Sequence, residues 1–468
     1  MPILALIAWE RSHENVGALS HNPHHHEHKG VTVSNSRRTT AVAFGAAAAL
    51  TLLASGCSSS DPSDSATATA GSSWMDEEIT LTLATFNNFG YSDEFLDGFE
   101  ALYPNVTVNH TIAATSNDAR ANFFTKLGAG SGLADVEAVE IDWFAEMMQY
   151  SDKLADLSSP SVEGRWIPWK AEAATDANGR LIGYGTDIGP EAICYRADLF
   201  EAAGLPSDRD EVAELLDGDW DNYFSVGEDF VANSPTKAAW FDSAGATYQG
   251  MVNQITEAYD TPDGEVIAAD NPDVEKIYND VLNASATLSA HLGQWGPDWN
   301  AGIGSGAFAT MLCPGWMLGV ISGNAEGVVG WDVADVFPGG GGNWGGSYLT
   351  VPAQGKNIEA ATALADWITA PEQQIAAFQT TGNFPSQVDT YDDPALTEFT
   401  NEFFNNAPVG EIFASRAAAV NPVPPFKGPL YFQVNDAMQQ ALSRVDVDKT
   451  DTIASSWEKF LSDVAAIG

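Results

Sequence analysis

ITLTLATFNNFGYSDEFLDGFEALYPNVTVNHTIA, residues 79–113, decides the fold class. Apolar residues alternate with threonines over 79–86, the period of a strand whose successive side chains point to opposite faces. Ser92 then precedes Phe95, Leu96, Phe99 and Leu102, an N-cap followed by a helical stripe that Pro104 ends. Val106, Val108, His110 and Ile112 restore the period of two. Two strands joined through a helix form a crossover unit, which sets them parallel in one sheet. Outward from this unit, 118–128 reads as a helix, 135–141 as a third strand and 144–150 as a third helix. The alternation predicts an α/β chain with a mostly parallel sheet and helices on its faces. Ligands of such sheets sit beyond the carboxyl ends of the strands. Asn87 and Asn88 follow the first strand there, and Asp142 and Trp143 follow the third.

Further along, LIGYGTDIGPEAICYR (181–196) reads as two short strands about a Gly/Asp/Pro turn. Helices are expected over 197–203, 220–232 and 272–288, and again over 358–369, 371–379, 431–445 and 452–467. The stretches 302–321 and 330–352 are rich in glycine and aromatic residues and read as strand-like. Asp217, Asp219, Asp221 and Glu228 fall on calcium-loop positions, but Asn222 stands where that loop needs glycine. Asp219 is instead a good N-cap for a helix opening at Trp220. GAGSGLAD (128–135) lacks the lysine of a phosphate loop and reads as a helix-ending turn. No cofactor is expected, and no metal.

AVAFGAAAALTLLASGC (41–57) carries a second message. Arg37 and Arg38 precede an apolar run over 41–53, too short to anchor in a bilayer, and Ala54, Ser55 and Gly56 lead into Cys57. This resembles the bacterial lipoprotein signal, in which the cysteine is lipidated and becomes the new N-terminus, although Ala54 stands where leucine is usual. An ordinary secretory signal is the alternative. On the lipoprotein reading, 1–56 are leader and signal peptide, with the true start near Val31 or Val33. Residues 57–76 are then the lipidated Cys57 and a flexible Ser/Thr/Ala/Asp tether. The folded body is expected on the extracellular face of a bacterial cell membrane, held by lipid alone.

The segment before Cys57 holds four basic and three acidic residues, so the remainder carries 16 Lys+Arg against 61 Asp+Glu, a net charge of −45. Such a field repels nucleic acid and anionic lipid, which makes both poor partners. Six of the eight histidines precede Cys57, leaving His110 and His291, too few for a histidine-rich metal site. After Cys57 about 410 residues remain, enough for two domains with cores of their own. Cys194 and Cys313 form an even pair in an oxidising compartment, as a disulfide or as two buried thiols.

Four further stretches resemble, in order and spacing, the family 1 extracellular solute-binding proteins of ABC sugar importers. They are CYRADLFEAAGL (194–205, with Arg196 where asparagine is common), GSGAFATMLCPGWMLGVI (304–321), FPGGGGNWGGSYLTVPAQGKNIEAATALADWITAPEQQ (337–374) and GNFPS (382–386). The resemblance implies a two-lobe, periplasmic-binding-protein-like (type II) fold, each lobe a mostly parallel sheet flanked by helices. It implies hinge crossovers near 184–188, near 344–347 and after Phe384. The lobes would comprise 77–187 plus 345–384 and 188–344 plus 385–468. A monomer would hold a sugar in the cleft, close over it and deliver it to a membrane permease. ATFNNFGY (84–91), ARANFFTKLGAGSGLADVEAVEIDW (119–143) and GYGTDIGPEAICYR (183–196) look closest to actinobacterial cellobiose- and cello-oligosaccharide-binding proteins.

Sugars present apolar faces and polar edges, so their sites need rings for stacking and carboxylates or amides for hydroxyls. Trp295, Trp299, Trp316, Trp331 and Trp344 put five of the 14 tryptophans into 50 residues. Trp331 adjoins a strand-like run and is expected in the core; the other four are site candidates. Gly345 and Gly346 let the backbone pass close to a ligand or simply allow the turn. Asn87, Asn88, Asp142, Trp143, Asp187 at the hinge, Phe384 at the third crossover, and Arg416 complete the candidate set, with caps, turns or a salt bridge as the structural alternatives. A surface glycoside hydrolase is the competing function, needing two carboxylates roughly 5–9.5 Å apart. A surface adhesin or sensor is another, and maltose, trehalose or xylobiose are alternative ligands.

Overall fold

The computed structural model describes residues 74–420 and 425–468. The leader, Cys57 and most of the tether lie outside the described residues. Ten strands occur among those described: β1 (Ile79–Phe86), β2 (Val106–Ala113), β3 (Val136–Glu140), β4 (Gly183–Gly185), β5 (Asp187–Ile188), β6 (Glu191–Arg196), β7 (Thr310–Pro314), β8 (Trp331–Ala334), β9 (Ser347–Thr350) and β10 (Phe384–Pro385).

β1 and β2 run parallel, with Ile79 opposite Val106 and Phe86 opposite Ala113, as a crossover through the helix Asp93–Leu102 requires. Ser92 caps that helix by accepting from Phe95 N at 3.2 Å, and the helix buries Leu96 and Phe99. β3 joins β1 in parallel. β9 is antiparallel to both β3 and β4, which completes a five-stranded sheet in the order β2–β1–β3–β9–β4. A second sheet, β7–β6–β8, is antiparallel throughout. The expectation of a mostly parallel sheet therefore holds for the three strands built from consecutive crossover units. Strands that return from distant parts of the chain carry no local sign of their direction.

Cys194 and Cys313 are joined by a disulfide across the β6–β7 pair, which decides between the two alternatives. Asp219 caps the helix Trp220–Asn233 by accepting from Asn222 N at 3.0 Å.

The strand-like reading of 302–321 is corrected: only Thr310–Pro314 is strand, between the helices Pro297–Ser305 and Met317–Asn324. Glycines here allow close packing between elements. A Cβ on Gly319 would lie 2.7 Å from Thr381 O, and one on Gly304 would lie 3.0 Å from Asn324 O. Within 330–352 the strands are four residues each, Trp331–Ala334 and Ser347–Thr350. Trp331 is fully buried, as a core residue should be. The helix Ala244–Val252 escaped the periodicity reading because Ala244 and Ala246–Val252 are all buried, leaving no polar stripe.

One core packs β1, β3 and β9 against the helix Ile358–Ile368. Another packs the second sheet against the helices Met317–Asn324 and Pro371–Thr381. Between the sheets, three segments cross and bind one another. β5 pairs with β10, setting Ile188 opposite Phe384. Trp344 N donates to Gly189 O at 2.8 Å, and Thr186 N donates to Ser347 O at 2.9 Å. The buried Gln374 amide adds to this knot, donating to Gly185 O at 2.7 Å and accepting from Ser386 N at 2.9 Å. No helix of the described residues is long and apolar enough to cross a membrane.

Candidate ligand-binding cavity

A cavity of about 560 Å³ opens beside this knot of crossings. Its first wall is made of strand ends. Asn87 follows β1 with φ +49°, a left-handed turn that asparagine tolerates. Asn88 accepts from Gly90 N at 3.0 Å through its side chain and from Asn383 Nδ2 at 3.2 Å through its carbonyl. At the end of β3, Glu140 caps the next helix by accepting from Asp142 N at 3.0 Å. Burial, reinforced by the charge of Asp142, holds the Glu140 carboxyl well above the usual range. Asp142 is ion-paired with Lys427. Asp187 accepts from Thr186 Oγ1 at 2.7 Å and from Ser347 N at 3.0 Å.

Behind this wall lies Lys170, fully buried, its ammonium 3.9 Å from the Tyr348 ring centroid and without a hydrogen-bond partner. Burial pulls its pKa down to about 7, against the upward pull of Asp187 and Glu140. The neighbouring Asp187 carboxyl is pushed up by burial and brought partly back by Lys170.

The aromatic part is a run of indoles. Trp295, 42% exposed, lies 6.0 Å from Trp316 with ring planes 25° apart. Trp316 meets Trp344 edge-on at 5.4 Å and donates from Nε1 to Trp344 O at 2.9 Å. Gly345 (φ +77°) and Gly346 (φ +106°) carry the crossover past them. A Cβ on Gly346 would sit 2.8 Å from Asp187 O, so no larger residue fits.

The facing wall comes from the helices Ala244–Val252 and Tyr431–Asp446, which supply Gln249, Asn435, Asp436, Gln439 and Asp446. These residues escaped the sequence reading. The i, i+4 spacing of Asn435, Gln439 and Ser443, beside a buried stripe of Val434, Met438 and Leu442, was the available signal.

Of the thirteen sequence candidates, nine line the cavity: Asn87, Asn88, Asp142, Asp187, Trp295, Trp316, Trp344, Gly345 and Gly346. Four do not and are corrected. Trp143 is fully buried, its Nε1 donating to Ser116 Oγ at 3.0 Å, so it supports the lining Ser116 from below. Trp299 is fully buried and donates to Asp242 Oδ2 at 2.8 Å. Phe384 packs in the core against Phe378, Tyr391 and Phe413. Arg416 is ion-paired with Asp335 at 2.6 Å.

The profile of bacterial extracellular solute-binding proteins matches residues 94–403. The chain belongs to that family. A crystal structure of a family 1 extracellular solute-binding protein is 46% identical to it, covering 83% of this chain and 99% of that one, with a TM-score of 0.73. The ABC transporter associated binding protein from B. animalis subsp. lactis Bl-04, in complex with β-1,6-galactobiose, is 17% identical over 82% of this chain and 96% of that one, with a TM-score of 0.70. Maltose-bound MalE3 from T. maritima is 16% identical over 83% and 100%, with a TM-score of 0.66. These two distant likenesses carry the fold, which is the two-lobe α/β fold of such binding proteins. A comparison with curated proteins finds no match.

Proposed function

We propose that the protein binds an oligosaccharide in this cavity and delivers it to the membrane permease of an ABC transporter. The observation that carries this reading is one cavity combining the indoles of Trp295, Trp316 and Trp344 with the carboxylates of Glu140, Asp142 and Asp187. Rings match the apolar faces of a sugar and carboxylates accept from its hydroxyls, the two needs of a carbohydrate site. Two distant structural relatives hold β-1,6-galactobiose and maltose, which is consistent with a sugar here. The role is binding and release rather than catalysis.

The ligand within this class is a cello-oligosaccharide, read from the resemblance of 84–91, 119–143 and 183–196 to cellobiose-binding proteins. The lobes comprise 77–187 plus 345–384 and 188–344 plus 385–468, and their closure turns on the knot of crossings at 184–188, 344–347 and 384. Lipidation at Cys57 holds the monomer at the extracellular face of the membrane.

Calorimetric titration with cellobiose, cellotriose, maltose, trehalose, xylobiose and β-1,6-galactobiose tests this. Saturable binding of cellobiose and cellotriose alone is the expected result. Binding of another disaccharide keeps the transport reading and discards the cello-oligosaccharide one. Release of monosaccharide, or silence across the panel, overturns the reading.

A further inference from the structure

We infer that the cavity selects its ligand by charge, taking neutral and amine-bearing oligosaccharides and turning away those that carry a carboxylate, sulfate or phosphate. The inference rests on the oligosaccharide reading above and deepens it. Two independent observations carry it.

The first is the distribution of ionic groups. Five carboxyl groups line the cavity, those of Glu140, Asp142, Asp187, Asp436 and Asp446, with burial pushing Glu140 and Asp187 towards the neutral form, and no Lys, Arg or His lines it among the described residues. Of the two lysines nearby, Lys427 is engaged by Asp142, and Lys170, which has no hydrogen-bond partner, is fully buried. Lys427 also lies over the Tyr431 ring, and Lys170 is enclosed behind Gly346. His291 Nδ1 is 2.7 Å from Asp446 Oδ1. Asp436, exposed on its helix, accepts from its neighbour Gln440 Nε2 at 2.8 Å. The rest of the chain adds its own negative field, which such a concavity focuses.

The second is the supply of hydrogen-bond donors on the facing wall. Gln249 Nε2 is spent on Asn253 Oδ1 and Tyr431 Oη, both at 3.3 Å. Gln439 Nε2 is spent on Gly245 O at 3.2 Å and Gln249 Oε1 at 3.3 Å. Both amides have used their hydrogens on the protein, and Gln439 keeps its oxygen as an acceptor. An anion taken out of water needs donors to replace its hydration; Gln249 and Gln439 have none left, and Asn435 already gives one amide hydrogen to Gln249 Oε1 at 3.0 Å. A hydroxyl or an ammonium brings donors of its own.

A ligand carboxylate ~6 Å from one lining carboxylate, at an effective dielectric of about 20, is disfavoured on the order of 100-fold. Salt screening reduces this. The test titrates the purified full-length protein with cellobiose, cellobiouronic acid and the chitosan disaccharide, at low and high salt. The uronate is expected to bind at least about tenfold more weakly than cellobiose. The diamine is expected to bind at least as tightly, with an advantage that shrinks as salt rises. Asp436→Asn is expected to narrow the ratio of neutral to acidic affinity by about threefold. Equal affinities for cellobiose and its uronate overturn the charge rule and leave the oligosaccharide reading standing. Binding of the diamine with silence from cellobiose supports the charge rule and overturns the cello-oligosaccharide reading.

Discussion

Glu191→Gln is expected to change how the stability of this protein depends on pH. Glu191 begins β6 and is fully buried, and neither of its carboxyl oxygens has a hydrogen-bond partner of good geometry. Asn253 stands beside it and Lys427 pulls its pKa down partway, yet burial pushes the carboxyl up to about 8 from its ordinary 4.5. The folded chain therefore binds more protons than the unfolded chain between those two values. The stabilisation from the protonated group is complete below pH 4.5 and is lost as pH rises towards 8. At pH 7 the carboxyl costs about 3 kcal/mol relative to its state at pH 4, from a shift of this size at about 1.4 kcal/mol per unit. Glutamine keeps the shape and removes the titration. Its amide brings unpaired hydrogens, a cost independent of pH, so the diagnostic quantity is how the difference between the two proteins changes with pH. Urea unfolding of both at half-unit steps from pH 4 to 8 measures it. The variant should gain on the parent by about 3 kcal/mol between pH 4 and pH 7. A difference that stays flat over this range would show that Glu191 is ionised and solvated at neutral pH, and would refute the argument.

Three further outcomes follow from particular contacts. Trp295→Ala should weaken sugar binding by roughly tenfold or more while moving stability by less than about 1 kcal/mol, because a part-exposed ring contributes more to stacking than to the core; calorimetry and thermal unfolding separate the two effects. Gly346→Ala should destabilise clearly more than Gly340→Ala. Both glycines sit at φ +106°, but a Cβ meets Asp187 O at 2.8 Å on Gly346 and nothing within 4 Å on Gly340. The backbone term alone is about 1–3 kcal/mol, and urea midpoints measure the excess. Reducing the Cys194–Cys313 bond, or Cys313→Ser, should cost on the order of 4 kcal/mol, since the link spans 119 residues and restrains a long loop in the unfolded chain; unfolding with and without reductant tests this.

Legibility in the sequence followed the range of the forces involved. The parallel strands β1–β3 and their helices were readable because caps, periods and crossovers act over a few residues. The rule that ligands gather at strand ends reached Asn87, Asn88 and Asp142 for the same reason. It failed at Trp143 because it names a turn and not a side of it. Successive helical residues point about 100° apart, so the residue after Asp142 faces the core beside Phe123. Trp295 and Trp299 looked alike as letters, yet one stands before the helix Pro297–Ser305 and stays part-exposed, while the other turns inward to Asp242. The electrostatics were beyond local reading altogether. Lys427 meets Asp142 across 285 positions, and Lys170 enters from a helix whose own pattern gives no hint of Asp187 or Glu140. A charge rule for the cavity depends on which of these cations are spent before a ligand arrives. That is a property of the folded neighbourhood, and it is the reason ligand charge rather than ligand shape is the sharper test of this site.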